Sequence, residues 1–135
     1  VNGPFAVIED RLLDAMQSCA RGPRQNALFA LWLFVRQCED TLPPRVLSAP
    51  ARGGRLTALE HRLSSLSLPA PLRRVLPAAI REMQTGKADR VATALQQLAA
   101  PAREAVGAPI GEALAQAARA ARQLVREGPV ERSRA

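Results

Sequence analysis

The sequence predicts an all-α protein, an antiparallel bundle of five to six helices, and three observations carry that expectation. Apolar residues recur at spacings of three and four through most of the 135 residues, which is the period of one helical face. No stretch alternates apolar and polar residues over a useful length, so no strand is placed. Glycine and proline punctuate the periodic stretches, where helices stop and start. With 47% hydrophobic and 23% charged residues, the composition is that of an ordinary globular chain rather than a disordered or collagen-like one. At this length one domain is expected, residues 1–128, too small for a cofactor domain plus a substrate domain.

The first helix is placed over 5–20, where Phe5, Ile8, Leu12, Ala15, Met16 and Cys19 share a face. Acids toward its start and Arg21 at its end suit the helix dipole, and Gly22-Pro23 breaks it. The second, 24–41, carries Leu28, Leu31, Trp32, Val35 and Cys38 on one side, while Phe29, Leu33 and Phe34 fill most of the rest. A helix apolar nearly all round is buried on several sides, so this one is expected at the centre, closing a hairpin over 5–41. Residues 42–55 hold Pro43, Pro44, Pro50, Gly53 and Gly54 and read as a linker. Such a length is often functional or mobile inside a compact domain.

Helices resume over 56–127. A leucine seam of Leu56, Leu59, Leu63 and Leu66 marks the third, fraying at Ser64, Ser65 and Ser67. The fourth, 70–85, turns Leu72, Val75, Leu76, Ala79, Ile80 and Met83 inward, and Pro77 within it calls for a kink or a short turn at 71–75. The fifth runs over 87–100 through Val91, Ala94, Leu95 and Leu98, ends near Pro101, and gives way to a turn at 101–106. The sixth, 109–127, has a narrow face of Ile110, Leu114, Ala117, Ala121, Leu124 and Val125, with alanines that allow close approach. Gly128-Pro129 ends it, leaving 129–135 as a disordered tail.

The net charge of +7 is unevenly placed. Residues 1–40 carry four arginines and five acids, residues 41–81 seven arginines and one acid, and residues 82–135 eight bases and six acids. Lys87 is the only lysine, an arginine bias that a G+C-rich coding sequence also produces. The candidate contacts for a partner or a phosphate are Arg45, Arg52, Arg55, Arg73, Arg74 and Arg81, with Arg62 in the same stretch. Arg74 and Arg81 lie two turns apart on one face while Arg73 turns away, so a stripe forms only if the linker arginines fold back beside it. Charge alone does not separate nucleic acid, headgroup and acidic protein. Ala51-Arg52-Gly53-Gly54-Arg55 holds one copy of the Arg-Gly-Gly-Arg pattern of RNA-binding segments, without the spacing of a phosphate-binding loop.

Groups suited to catalysis are scarce: one His, no Tyr, one Lys and two Cys. His61 falls off the leucine seam, as a solvated residue would. Glu9-Asp10 and Glu39-Asp40 are adjacent acids that diverge by about a hundred degrees on a helix, so no catalytic dyad is expected. Cys19 and Cys38 are expected buried and reduced, without the spacing or histidines of a zinc site, and no cofactor is expected. The longest apolar run, Ala27–Val35, is short of the roughly 18–20 residues that cross a bilayer. No signal peptide is read, and an opening Val1 suits an excised or processed fragment. Aromatics at 3% argue against a stacking platform for bases.

Residues 56–126 resemble the C-terminal helical domain shared by the COPII outer-coat subunit and the steroid receptor RNA activator protein. The likeness lies in the order of features: the leucine-spaced helix with Leu56, Leu59 and Leu63, a proline-led helix ending in Met83-Gln84-Thr85-Gly86, Lys87-Ala88-Asp89 opening a helix with Ala94 and Leu98, and a final helix to Val125. Segment 42–55 and the apolar second helix depart from that pattern. The resemblance implies a non-enzymatic protein-contact module and transfers no site residues.

The expected function is therefore a non-catalytic, intracellular (cytoplasmic or nuclear) protein–protein interaction or scaffold module, with Phe29, Trp32 and Phe34 as a candidate apolar groove. The alternative is sequence-independent nucleic-acid binding through the Arg-rich region 41–81.

Overall fold

A computed structural model describes residues 5–41 and 49–134, with side chains over 5–41 and 50–123. Six helices follow in chain order: α1 (Ala6–Ser18), α2 (Pro23–Thr41), α3 (Ala49–Ser64), α4 (Ala70–Gln84), α5 (Ala88–Val106) and α6 (Ala108–Arg134). The all-α bundle is thus the observed fold. Helices adjacent in sequence pack together, and α1 closes the bundle by packing on α6. Among the described residues α2 touches every helix except α6, the central place its all-round apolar surface predicts.

One core runs through all six helices. Phe5, Ile8 and Leu12 belong to one buried cluster with Leu28, Leu31, Phe34, Val35, Leu56, Leu72, Ile80, Met83, Leu95 and Leu114. Each is buried almost completely, and burying one such side chain stabilises by about 1.5–3 kcal/mol. Cys38 is buried with its thiol against the Met83 sulfur. Burial first, and Glu39 beside it, push that thiol's pKa up, which leaves an inert core group. Cys19 is half-buried rather than fully enclosed, and both thiols are free.

The first turn of α2 ties three other segments to it. Arg24 donates to the Val106 carbonyl at the end of α5, Gln25 donates to the Met16 and Cys19 carbonyls at the end of α1, and Asn26 donates to the Ser67 carbonyl after α3. The last carbonyls of a helix have no intrahelical partner, so Arg24 fills a site that the end of α5 leaves open.

Four boundaries differ from the sequence expectation. Residues 49–55 are the first two turns of α3 and not linker. Pro50 is tolerated there because the first turn needs no N–H, and Arg52 anchors the turn by donating from Nε to the Gln84 carbonyl at 3.2 Å. α4 runs unbroken past Pro77, so no short turn forms at 71–75. Leu72, Leu76, Ala79, Ile80 and Met83 are buried along it and outweigh a single proline. α5 passes Pro101 to Val106 because Ala102 and Val106 extend its buried stripe, so 101–106 is helix and not turn. The backbone of α6 continues through Gly128-Pro129 to Arg134, where a disordered tail was expected; the Glu- and Arg-rich flanks are good helix formers.

Two glycines face opposite situations. A Cβ at Gly53 would meet nothing within 4 Å, whereas one at Gly111 would lie 2.8 Å from the Ala99 carbonyl oxygen and 2.9 Å from Arg103 Cβ, where α5 and α6 close on each other. A helical glycine costs about 1 kcal/mol relative to alanine. Gly53→Ala should therefore raise stability by about 1 kcal/mol, while Gly111→Ala should lower it by about 1–3 kcal/mol through overpacking. Urea unfolding of the two variants checks both signs; a neutral or destabilising Gly53→Ala would contradict helix at that position.

Candidate functional site

Positions 29, 32 and 36 follow one another at helical steps of three and four, so α2 carries Phe29, Trp32 and Arg36 on one face. The two rings stack, with centroids 6.2 Å apart and planes inclined by 18°. The Arg36 guanidinium carbon lies 5.4 Å from the Trp32 ring centroid, and Arg62 of α3 lies 5.2 Å from that of Phe29. The result is a ladder of arginine, indole, phenyl and arginine bridging two helices. Each such cation–π contact is worth about 0.5–1 kcal/mol at an exposed site, and it also holds a guanidinium in a fixed direction. Both rings are half-buried.

Beside the ladder a cleft of about 250 Å³ opens between α2 and α3. Arg36, Arg55 and Arg62 line it together with Gln37, Asp40 and Leu59. Arg55 is ion-paired to Asp40. Gln37 is only 9% exposed, and its Nε2 is fully buried without a hydrogen-bond partner. A buried donor left unpaired costs about 1–3 kcal/mol.

The structure disperses the arginine candidates. Arg45 lies outside the described residues. Arg52 folds back over the end of α4, its guanidinium occupying the space that a Cβ at Gly86 would need; φ is +73° at Gly86, where glycine is suited twice over. Arg55 turns into the α2/α3 cleft instead. Arg73 stands with Glu60 at a separate cleft of about 310 Å³ between α3 and α4, floored by Leu63, Leu76 and Ile80. Arg74 and Arg81 are exposed on α4. Among the described residues Arg73, Arg74 and Arg81 make no ion pair. Of the groove residues, Phe29 and Trp32 are on the surface ladder, but Phe34 is fully buried. Two residues beyond Trp32, a helix has turned by roughly 200°, which sends Phe34 into the core. Arg36 and Gln37 were not among the sequence candidates, although the i, i+4 spacing of Trp32 and Arg36 marks the pair.

A carboxyl pair also forms between two helices, one that spacing along the sequence does not reveal. Adjacent acids diverge on one helix, but an antiparallel hairpin sets the start of α1 beside the end of α2, and Glu9 meets Glu39. Burial first, then a hydrogen bond and charge from Glu39, push the Glu9 carboxyl from 4.5 up to about 7; Arg36 opposes the shift and Asp10 adds to it. Glu9 Oε1 is buried without a hydrogen-bond partner.

Elsewhere an open cleft of about 450 Å³ between α5 and α6 is lined by alanines and by Arg103 and Glu112, which form an ion pair at 3.8 Å. Among the described residues no three His, Cys, Asp or Glu gather as a metal site, and no helix is long and apolar enough to cross a membrane. No family model matches the chain, and no curated protein or solved structure matches it.

The Glu9 shift has a signed consequence for stability. Native Glu9 holds its proton to about 7 while the unfolded chain releases it near 4.5. Between those values the native state binds more protons, so this group's contribution is complete below the lower value and is lost as pH rises through the upper one. Thermal unfolding at about pH 5 and about pH 8 should show Glu9→Gln losing less Tm across the interval than the wild type. Equal losses in the two proteins would contradict the shift.

Proposed function

We propose that the protein is a non-catalytic protein–protein interaction or scaffold module of a larger protein or complex, acting inside the cell and docking through the face shared by α2 and α3. One observation carries this reading: the helix in contact with four others keeps a stacked Phe29–Trp32 pair half-open at its surface, with an arginine on each ring. Tryptophan and arginine dominate binding energy at protein interfaces, where a few half-open anchors become fully desolvated. The resemblance of residues 56–126 to a helical protein-contact domain supports the same reading.

A second reading, sequence-independent nucleic-acid binding, keeps its support in exposed Arg73, Arg74 and Arg81 on α4. Phosphate contacts of that kind weaken steeply with salt. The two readings part in an affinity purification with and without nuclease. Protein partners should survive nuclease and fall about tenfold or more with Trp32→Ala, whose helicity is checked by circular dichroism. Release of all captured protein by nuclease, with Trp32→Ala behaving as wild type, would favour the nucleic-acid reading.

A further inference from the structure

We infer that the α2/α3 cleft is the receptor for a carboxylate side chain of an acidic protein segment, one in which Asp or Glu is interspersed with apolar residues. The inference rests on the protein-docking reading of this face and adds the chemistry of the partner. Three features of the cleft specify it.

The first is charge. Arg36, Arg55 and Arg62 converge on the cleft against the single carboxylate of Asp40. Guanidinium groups offer planar paired donors that match a carboxylate, and such charge-assisted bonds are about twice as strong as neutral ones. Two of the three, Arg36 and Arg62, are already oriented by their contacts with Trp32 and Phe29. A ligand meeting them therefore loses less to side-chain ordering.

The second is the unpartnered amide of Gln37, nine-tenths buried at the same cleft. Buried donors almost always have partners, and this one, carried on a soft terminal torsion, has none although its residue lines the cleft. An orphan donor beside three guanidinium groups is the arrangement that an anion completes.

The third feature selects peptide over nucleic acid. Single-stranded bases bind by stacking on open ring faces. Here both rings are half-buried, and an arginine already lies over each of them, Arg36 over Trp32 and Arg62 over Phe29. The apolar lining of the cleft is Leu33, Ala58 and Leu59, and it fits the methylene stem of a glutamate or a neighbouring aliphatic side chain. Apolar floor and basic rim together match an acidic segment with interspersed apolar residues.

The test is fluorescence anisotropy at low salt, using the full chain and a fluorescein-labelled peptide of repeating Glu-Glu-Leu. A peptide with Gln for Glu and a labelled oligothymidylate serve as comparators. The Glu peptide should bind and the Gln peptide should not. Arg62→Glu, an exposed substitution, should weaken binding about tenfold or more, and Asp40→Asn should tighten it by removing the competing carboxylate. Gln37→Leu gives the most specific signature: binding weakens about threefold to tenfold while Tm holds or rises, because the orphan donor is gone. No binding of the Glu peptide, equal binding of the Gln peptide, or oligothymidylate binding that Arg62→Glu abolishes would each overturn the inference. If the Glu peptide fails while nuclease-resistant partners are still captured through Trp32, the docking reading survives and only the acidic partner falls.

Discussion

Burial of one side of α2 against α1, α3, α4 and α5 is the constraint on which the rest of the structure depends. Leu28, Leu31, Phe34, Val35 and Cys38 lose all their exposed surface there, and among the described residues α2 is the one helix in contact with four others. Its first turn adds polar ties through Arg24, Gln25 and Asn26 to carbonyls of three other segments. Apolar contact sets how closely the neighbours approach, and the directional bonds set where along α2 they sit. A void on the scale of Phe34 would cost about 3–5 kcal/mol, a large share of the roughly 5–15 kcal/mol that holds a domain folded.

The surface ladder follows from that same constraint. With Phe34 committed inward, the helical turn leaves Phe29, Trp32 and Arg36 on the side where α3 covers α2 only partly. Arg62 then crosses from α3 to Phe29, and Arg55 reaches Asp40. Exposed ion pairs contribute about 0–1 kcal/mol, so these contacts do little for stability and more for the direction in which guanidinium groups point. This basic rim around a small cleft is the surface on which the docking proposal rests, and the Gln37 amide is a buried donor that folding alone leaves unpaired.

Much of the fold was legible in the sequence because its signals were local. The buried positions of α4 and α5 were readable from spacing, and the all-round apolar character of 27–35 placed α2 at the centre. What misled were residues that usually punctuate helices. Pro77 and Pro101 sit inside helices whose buried stripes continue on both sides. Gly53-Gly54 lies inside α3 because Arg52 finds a helix end to cap and nothing crowds the glycines. The site was less legible, since its parts come from different helices. Arg55 and Arg62 could be named from charge, but their meeting with Arg36 and Gln37 depends on how α3 docks. The Glu9–Glu39 pair depends in the same way on the α1/α2 hairpin.

The central claim, that α2 anchors the bundle, is tested most directly by native-state hydrogen exchange across a series of low denaturant concentrations. Backbone amides from Leu28 to Cys38 should exchange last, only through global unfolding, with protection equal to the full stability of the protein. The opposing result would be complete exchange of these amides under conditions where the α5/α6 hairpin, the most extensive helix pair, still protects its own. That outcome would make α5 and α6 the anchor and α2 an element added onto them.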